Sequence, residues 1–175
     1  MRLQTAALAL VLASCSTHRT PLPVYGRVAD FKLTAQTGQP FSSEALKGKI
    51  WVADFIFTSC TGPCSRMSSQ MARVQRSTSE EIRLVSFTVD PARDTPEALA
   101  AYAKRYQAQP ERWWLLTGPQ PMLHQVARES FKLSNVDGSL DHSTRFVLVD
   151  RAGQIRGYYD AVESLLTDID YLRSS

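Results

Sequence analysis

The chain has 175 residues, a length that fits one domain with a core adequate for independent stability. Apolar residues make up 43% and charged residues 21%, with no low-complexity run and no charge block, as in an ordinary globular protein. The net charge is +3 with Lys and Arg scattered, which excludes the clustered basic face that nucleic-acid binding needs and leaves a solvated surface.

The first residues form an export signal. Arg2 supplies a positive start, and Ala6 to Ala13 form an apolar run too short for a membrane-spanning helix, which takes about 20 residues. The run ends in Leu12-Ala13-Ser14-Cys15, which resembles the lipobox of bacterial lipoproteins. The resemblance implies that Cys15 is acylated and the chain cut before it. Residues 1–14 are then a lipoprotein signal peptide, and loss of Arg2 takes the net charge from +3 to +2. An ordinary secretory signal with an incidental cysteine is the competing reading. Residues 15–23 are polar and proline-bearing, a tether between lipid and domain, with His18 a solvated linker residue. The domain proper is expected over 24–175.

Phe31-Lys32-Leu33-Thr34 alternates, Gln36 to Gln39 is turn-like and Pro40-Phe41 resumes, which predicts a small hairpin. Ser42 or Ser43 can cap a short helix through Leu46, closed by Gly48. A largely buried strand over 50–57 leads into Cys60-Thr-Gly-Pro-Cys64, and Pro63 suits the first turn of a helix running to about Arg76. Met67, Met71 and Val74 form a core-facing stripe on that helix. A strand over 82–89 precedes a helix capped by Asp94 or Thr95, with Leu99, Tyr102 and Tyr106 on its buried side. Trp113 to Leu116 form a third strand, and a helix from Gln120 to about Ser130 turns Met122, Leu123 and Val126 inward. The segment 134–143 is polar and loop-like. Strands over 145–149 and 154–159 join through Asp150-Arg151-Ala152-Gly153, and a last helix starts near Ala161.

This alternation predicts an α/β fold of thioredoxin-like arrangement, a central mixed sheet flanked by helices with a small N-terminal hairpin. The cysteine pair falls at the first strand-to-helix junction, where a helix N-terminus favours thiolate over thiol. Residues at i and i+4 share a helix face, so Cys60 and Cys64 can close a disulfide, exchange with one, or share a metal ion. Of three cysteines, lipidation of Cys15 leaves this one pair.

Three segments together resemble the Sco (SenC) family of copper-handling proteins. They are Asp54-Phe55-Ile56-Phe57-Thr58-Ser59-Cys60-Thr61-Gly62-Pro63-Cys64, Phe87-Thr88-Val89-Asp90-Pro91-Ala92-Arg93-Asp94-Thr95-Pro96-Glu97, and Asp141-His142-Ser143-Thr144-Arg145-Phe146-Val147-Leu148-Val149-Asp150. The likeness covers about residues 24 to 172. It implies one copper per chain held by Cys60, Cys64 and His142, and two thiolates plus an imidazole suit copper, with Cu(I) content at three ligands. One departure is local: the family often has Pro directly after each Cys, whereas Thr61 and Ser65 stand there and Pro63 lies inside the motif.

Other polar residues carry weaker expectations. Asp90 is a candidate for orienting His142 or meeting a partner, with a plain loop role equally open. Asp94 is expected in a loop or cap role, His124 in a structural one, and Met67 and Met71 in the core rather than on copper. Asp54 stands out within an apolar strand. A solvated edge position is the simpler reading, and a buried carboxylate beside a redox pair could pass protons.

The resemblance implies a periplasmic copper chaperone, lipid-anchored to a bacterial membrane, that helps mature the copper centre of cytochrome c oxidase. Its partner is a copper-receiving oxidase subunit or another copper carrier. The same two thiols, Cys60 and Cys64, also suit a thiol–disulfide oxidoreductase that keeps the oxidase cysteines reduced. A peroxide-reducing or copper-sensing protein is a third possibility, with Thr58 and Arg66 or Arg145 as activating groups. Whether the chain is an enzyme is therefore open at this point.

Overall fold

The computed structural model describes residues 20–59, 62–132 and 144–175. The expectations placed on residues 1–19, and on Cys60, Thr61, Asp141 and His142, lie outside the described residues.

An eight-stranded sheet organises the described residues: β1 (Gly26–Arg27), β2 (Lys32–Ala35), β3 (Pro40–Ser42), β4 (Trp51–Ile56), β5 (Arg83–Thr88), β6 (Trp113–Thr117), β7 (Phe146–Val149) and β8 (Gln154–Tyr159). Their spatial order is β1-β8-β7-β4-β5-β6-β2-β3. The middle strands β4, β5 and β6 run parallel, as strands joined by helical crossovers do. The β7–β8 hairpin lies antiparallel on the β4 side, and the expected front hairpin, β2–β3, lies antiparallel against β6. The two-residue β1, which the sequence did not announce, pairs with β8. Gly153, at φ +74°, makes the tight β7–β8 turn, where Asp150 accepts from the backbone of Ala152 and Gln154.

Helices cover both faces. α1 (Pro63–Ser77), α2 (Pro96–Arg105) and α4 (Val162–Ser174) pack on one, around Val52, Ile56, Leu84, Leu99 and Leu165. Met67, Met71 and Val74 are buried there, as their spacing predicts. The opposite face buries an aromatic layer of Trp51, Phe55, Phe87 and Phe131 under α3 (Gln120–Gln125) and the turn after it.

That turn corrects one expectation. Residues 126–130 form a π-helical turn, closed by the Phe131 amide on the Val126 carbonyl at 3.2 Å, in place of a continuous α-helix to Ser130. A π turn shifts the phase of a helical stripe. Leu123, Val126 and Ala127 remain buried, whereas Met122, expected inward, is 36% exposed.

Register decides what meets at the functional end. Trp51 pairs with Val149 and Ala53 with Val147, so β7 begins where β4 finishes. Phe146 pairs with Tyr159, which brings the end of β8 to the same place. The segment after β4, the N-terminus of α1, the end of β5 and the approach to β7 therefore converge at one end of the sheet.

Candidate metal centre

Cys64 sits in the first turn of α1 and is completely buried. Pro63 opens the helix, where its missing N–H costs nothing. Gly62 at the N-cap provides no side-chain cap and the first turn has no acidic residue, so Cys64 sits beside an uncapped, positive helix end. Tyr102 lies near Cys64 and shares a 2.9 Å hydrogen bond with Ser68, one turn further along α1. Burial pushes the Tyr102 phenol well above its ordinary range, so it stays protonated.

A cleft of about 540 Å³ opens between α1 and the approach to β7, lined by Gly62, Arg66, Met67, Gln70, Thr144 and Asp160. Gly62 stands two residues before Cys64, and Thr144 two residues after His142. A larger cleft of about 640 Å³ between the β2–β3 edge and α3 has neither cysteine nor histidine in its wall.

The remaining candidates divide. Asp90 follows β5 at this same end, with its side chain 12% exposed and paired to Arg93 at 3.0 Å. Arg145 reaches Asp160 at 3.3 Å on the cleft rim. Met67 and Met71 are buried in the core on the α1 face of the sheet, and Met67 also forms part of the cleft wall. His124, in α3 on the opposite face, has an Nε2 without a hydrogen-bond partner among the described residues, in keeping with a structural role.

Two aspartates depart from expectation. Asp54 is fully buried in β4, not solvated at an edge. Register sets it beside Ser86, which donates to Oδ1 at 2.5 Å and accepts from Trp113 Nε1 at 2.9 Å. Its Oδ2 has no hydrogen-bond partner among the described residues, and burial pushes the carboxyl up to about 7 against the opposing pull of the Ser86 bond. Asp94 caps no helix: Thr95 does that, accepting from the Ala98 amide. Asp94 instead accepts from the Thr58 amide at 3.2 Å, from the Thr58 hydroxyl at 2.5 Å and from the Thr88 hydroxyl. The signal for it in sequence is faint, a second Asp four residues after Asp90, because its partner lies 36 positions away.

Comparison with known proteins agrees with this layout. The profile of the SCO1/SenC family matches residues 23–173. The SCO1 protein homolog of Bacillus subtilis is 34% identical over 163 residues, covering 89% of this chain and 84% of that protein. A SCO1/SenC family lipoprotein from Bacillus anthracis superposes with a TM-score of 0.76 at 32% identity, over 85% of this chain and 95% of that one. The solved structure of BsSco, described as a cytochrome c oxidase assembly protein with a disulfide switch, gives 0.75 at 30% identity, over 89% and 97%. More distantly, ScoI of Bradyrhizobium japonicum, solved with copper bound, shares the fold at 23% identity and a TM-score of 0.70, over 84% and 99%.

Proposed function

The chain belongs to the SCO1/SenC family, and on that premise we propose that it is a membrane-tethered periplasmic copper chaperone for the copper centre of cytochrome c oxidase. Sco homologues bind copper and take part in assembling that oxidase. The carrying observation is the cleft whose wall joins Gly62, inside the cysteine motif, to Thr144, two residues after His142 in sequence.

Cys60, Cys64 and His142 are the ligands in this reading. Two thiolates and one imidazole form a soft set that holds Cu(I) at three coordinates and leaves room for an incoming thiolate. Copper then passes by ligand exchange onto the cysteines of the oxidase subunit. The uncapped start of α1 sets a positive helix end beside Cys64. Asp90, at the same end of the sheet, is assigned to orienting the imidazole of His142. Lipid on Cys15 tethers the domain, in keeping with the lipoprotein among its relatives, and no helix among the described residues is long and apolar enough to cross a membrane.

Copper titration of the full-length protein tests the reading. The wild type should take up one copper per chain, and Cys60→Ala, Cys64→Ala and His142→Ala should each abolish stable binding. Wild-type affinity and Cu(II) spectra in His142→Ala would refute the ligand set. A second reading, thiol–disulfide exchange with the oxidase cysteines, is favoured by the disulfide switch described for BsSco. His142 separates the two, since exchange through Cys60 and Cys64 does not need an imidazole.

A further inference from the structure

The turn between β5 and α2 carries a carboxylate that the copper reading leaves unused. Asp94 is completely buried, and none of the ion pairs among the described residues includes it. The neighbouring guanidinium of Arg93 goes to Asp90 instead. A buried carboxylate is costly unless donors surround it, and among the described residues two threonines supply them. Thr58 gives its amide and its hydroxyl, and Thr88 gives its hydroxyl. Thr88 in turn accepts from the Asp90 amide at 3.0 Å, so the β5 end is itself closed by this network.

The position of Thr58 gives the arrangement a purpose. It lies two residues beyond the end of β4 and two residues before Cys60. Past Ile56 the ladder to β5 ends with the Val89 amide on the Ile56 carbonyl at 2.9 Å. Beyond that bond Asp94 bridges Thr58 to Thr88, the last residue of β5. Two residues of chain span at most about 7 Å, so an anchor at Thr58 limits where the Cys60 thiol can stand. Cys64 needs no such device, because the packing of α1 places it. A buried charge held only by neutral donors adds little stability over an apolar residue of similar size, and its better attested use is to specify one geometry.

We propose that Asp94 is a positioning residue: by pinning Thr58 to the end of β5 it sets where Cys60 presents its thiol. For the identity of the metal this rests on the copper reading above, and for the thiol itself it does not. The test uses full-length Asp94→Ala, Thr58→Val and Thr58→Ser, each checked for cooperative thermal unfolding. Three quantities are read: the thiolate-to-Cu(II) charge-transfer spectrum, the rate of copper loss to a chelator, and the rate of Cys60 alkylation by iodoacetamide in reduced, metal-free protein. Asp94→Ala and Thr58→Val should shift the spectrum, release copper about tenfold faster and change Cys60 alkylation several-fold, as losing an outer partner of a metal ligand does. Thr58→Ser, which keeps the hydroxyl, should restore wild-type values. Folded variants with wild-type spectra and rates overturn the proposal, as does Thr58→Ser behaving like Thr58→Val. If Asp94→Ala fails to fold, Thr58→Val decides. If the wild type takes no copper, the copper reading falls and the alkylation rates alone judge Asp94.

Discussion

Asp54 and Asp94 are both completely buried, yet the two regions that hold them solve the burial of an acid differently. At mid-sheet, under α1, Asp54 has one donor in Ser86 and an Oδ2 with no partner among the described residues, and burial raises its pKa to about 7, so it keeps its proton well above the ordinary carboxylate range. At the functional end Asp94 collects donors from Thr58 and Thr88, and those bonds join a loop to the sheet. The contrast teaches that burial alone does not make an acid a proton carrier or a strut. The number and origin of its donors decide.

The largest effect expected from breaking this contrast is in the pH dependence of stability. The folded-state pKa of Asp54 is raised from 3.8 to about 7, so between those values the folded protein holds a proton that the unfolded chain has lost. Its contribution is therefore fully present below about pH 4 and is lost as pH rises through 7. The total is on the order of 4 kcal/mol at about 1.4 kcal/mol per unit. Urea unfolding of wild type and Asp54→Asn across pH 4 to 9 measures it: the difference between the two should grow in favour of the variant as pH rises. A flat difference would mean that Asp54 is not held protonated.

Next in size is Asp94→Ala. It leaves the donors of Thr58 and Thr88 without their acceptor and should cost about 3 kcal/mol in urea unfolding. Ser86→Ala sharpens the other half. It removes the one bond that lowers the Asp54 pKa, so the pH midpoint of the stability change should move upward, with a loss of about 1–2 kcal/mol at pH 8. Smallest is Thr58→Val, at about 1 kcal/mol of stability, because the amide bond to Asp94 remains. Its signature should lie in the copper spectrum instead.

Much of the fold was legible because hydrophobic period and turn chemistry agree along the chain. The apolar run at 50–57, the stripe of Met67, Met71 and Val74, and the Asp150–Gly153 turn all formed as their patterns demand. What stayed hidden depends on partners distant in sequence. A two-residue strand such as β1 has no period of its own and exists through β8. Leu123, Val126 and Ala127 share one helical face, and Met122, one residue and about 100° before Leu123, falls off it, so an apolar side chain expected inward is exposed. Thr58 and Asp94 are 36 residues apart and read as a loop threonine and a cap until the sheet closes between them. The proposed ligands are the reverse case, since Cys60 and Cys64 stand out through motif spacing and His142 through the resemblance to the Sco family.

The most direct test of the central claim, that these three residues hold one copper, is copper K-edge X-ray absorption on the loaded full-length protein. The account predicts two sulfur ligands and one imidazole nitrogen per copper in the wild type. A single sulfur, or a copper shell without imidazole scattering, would contradict it.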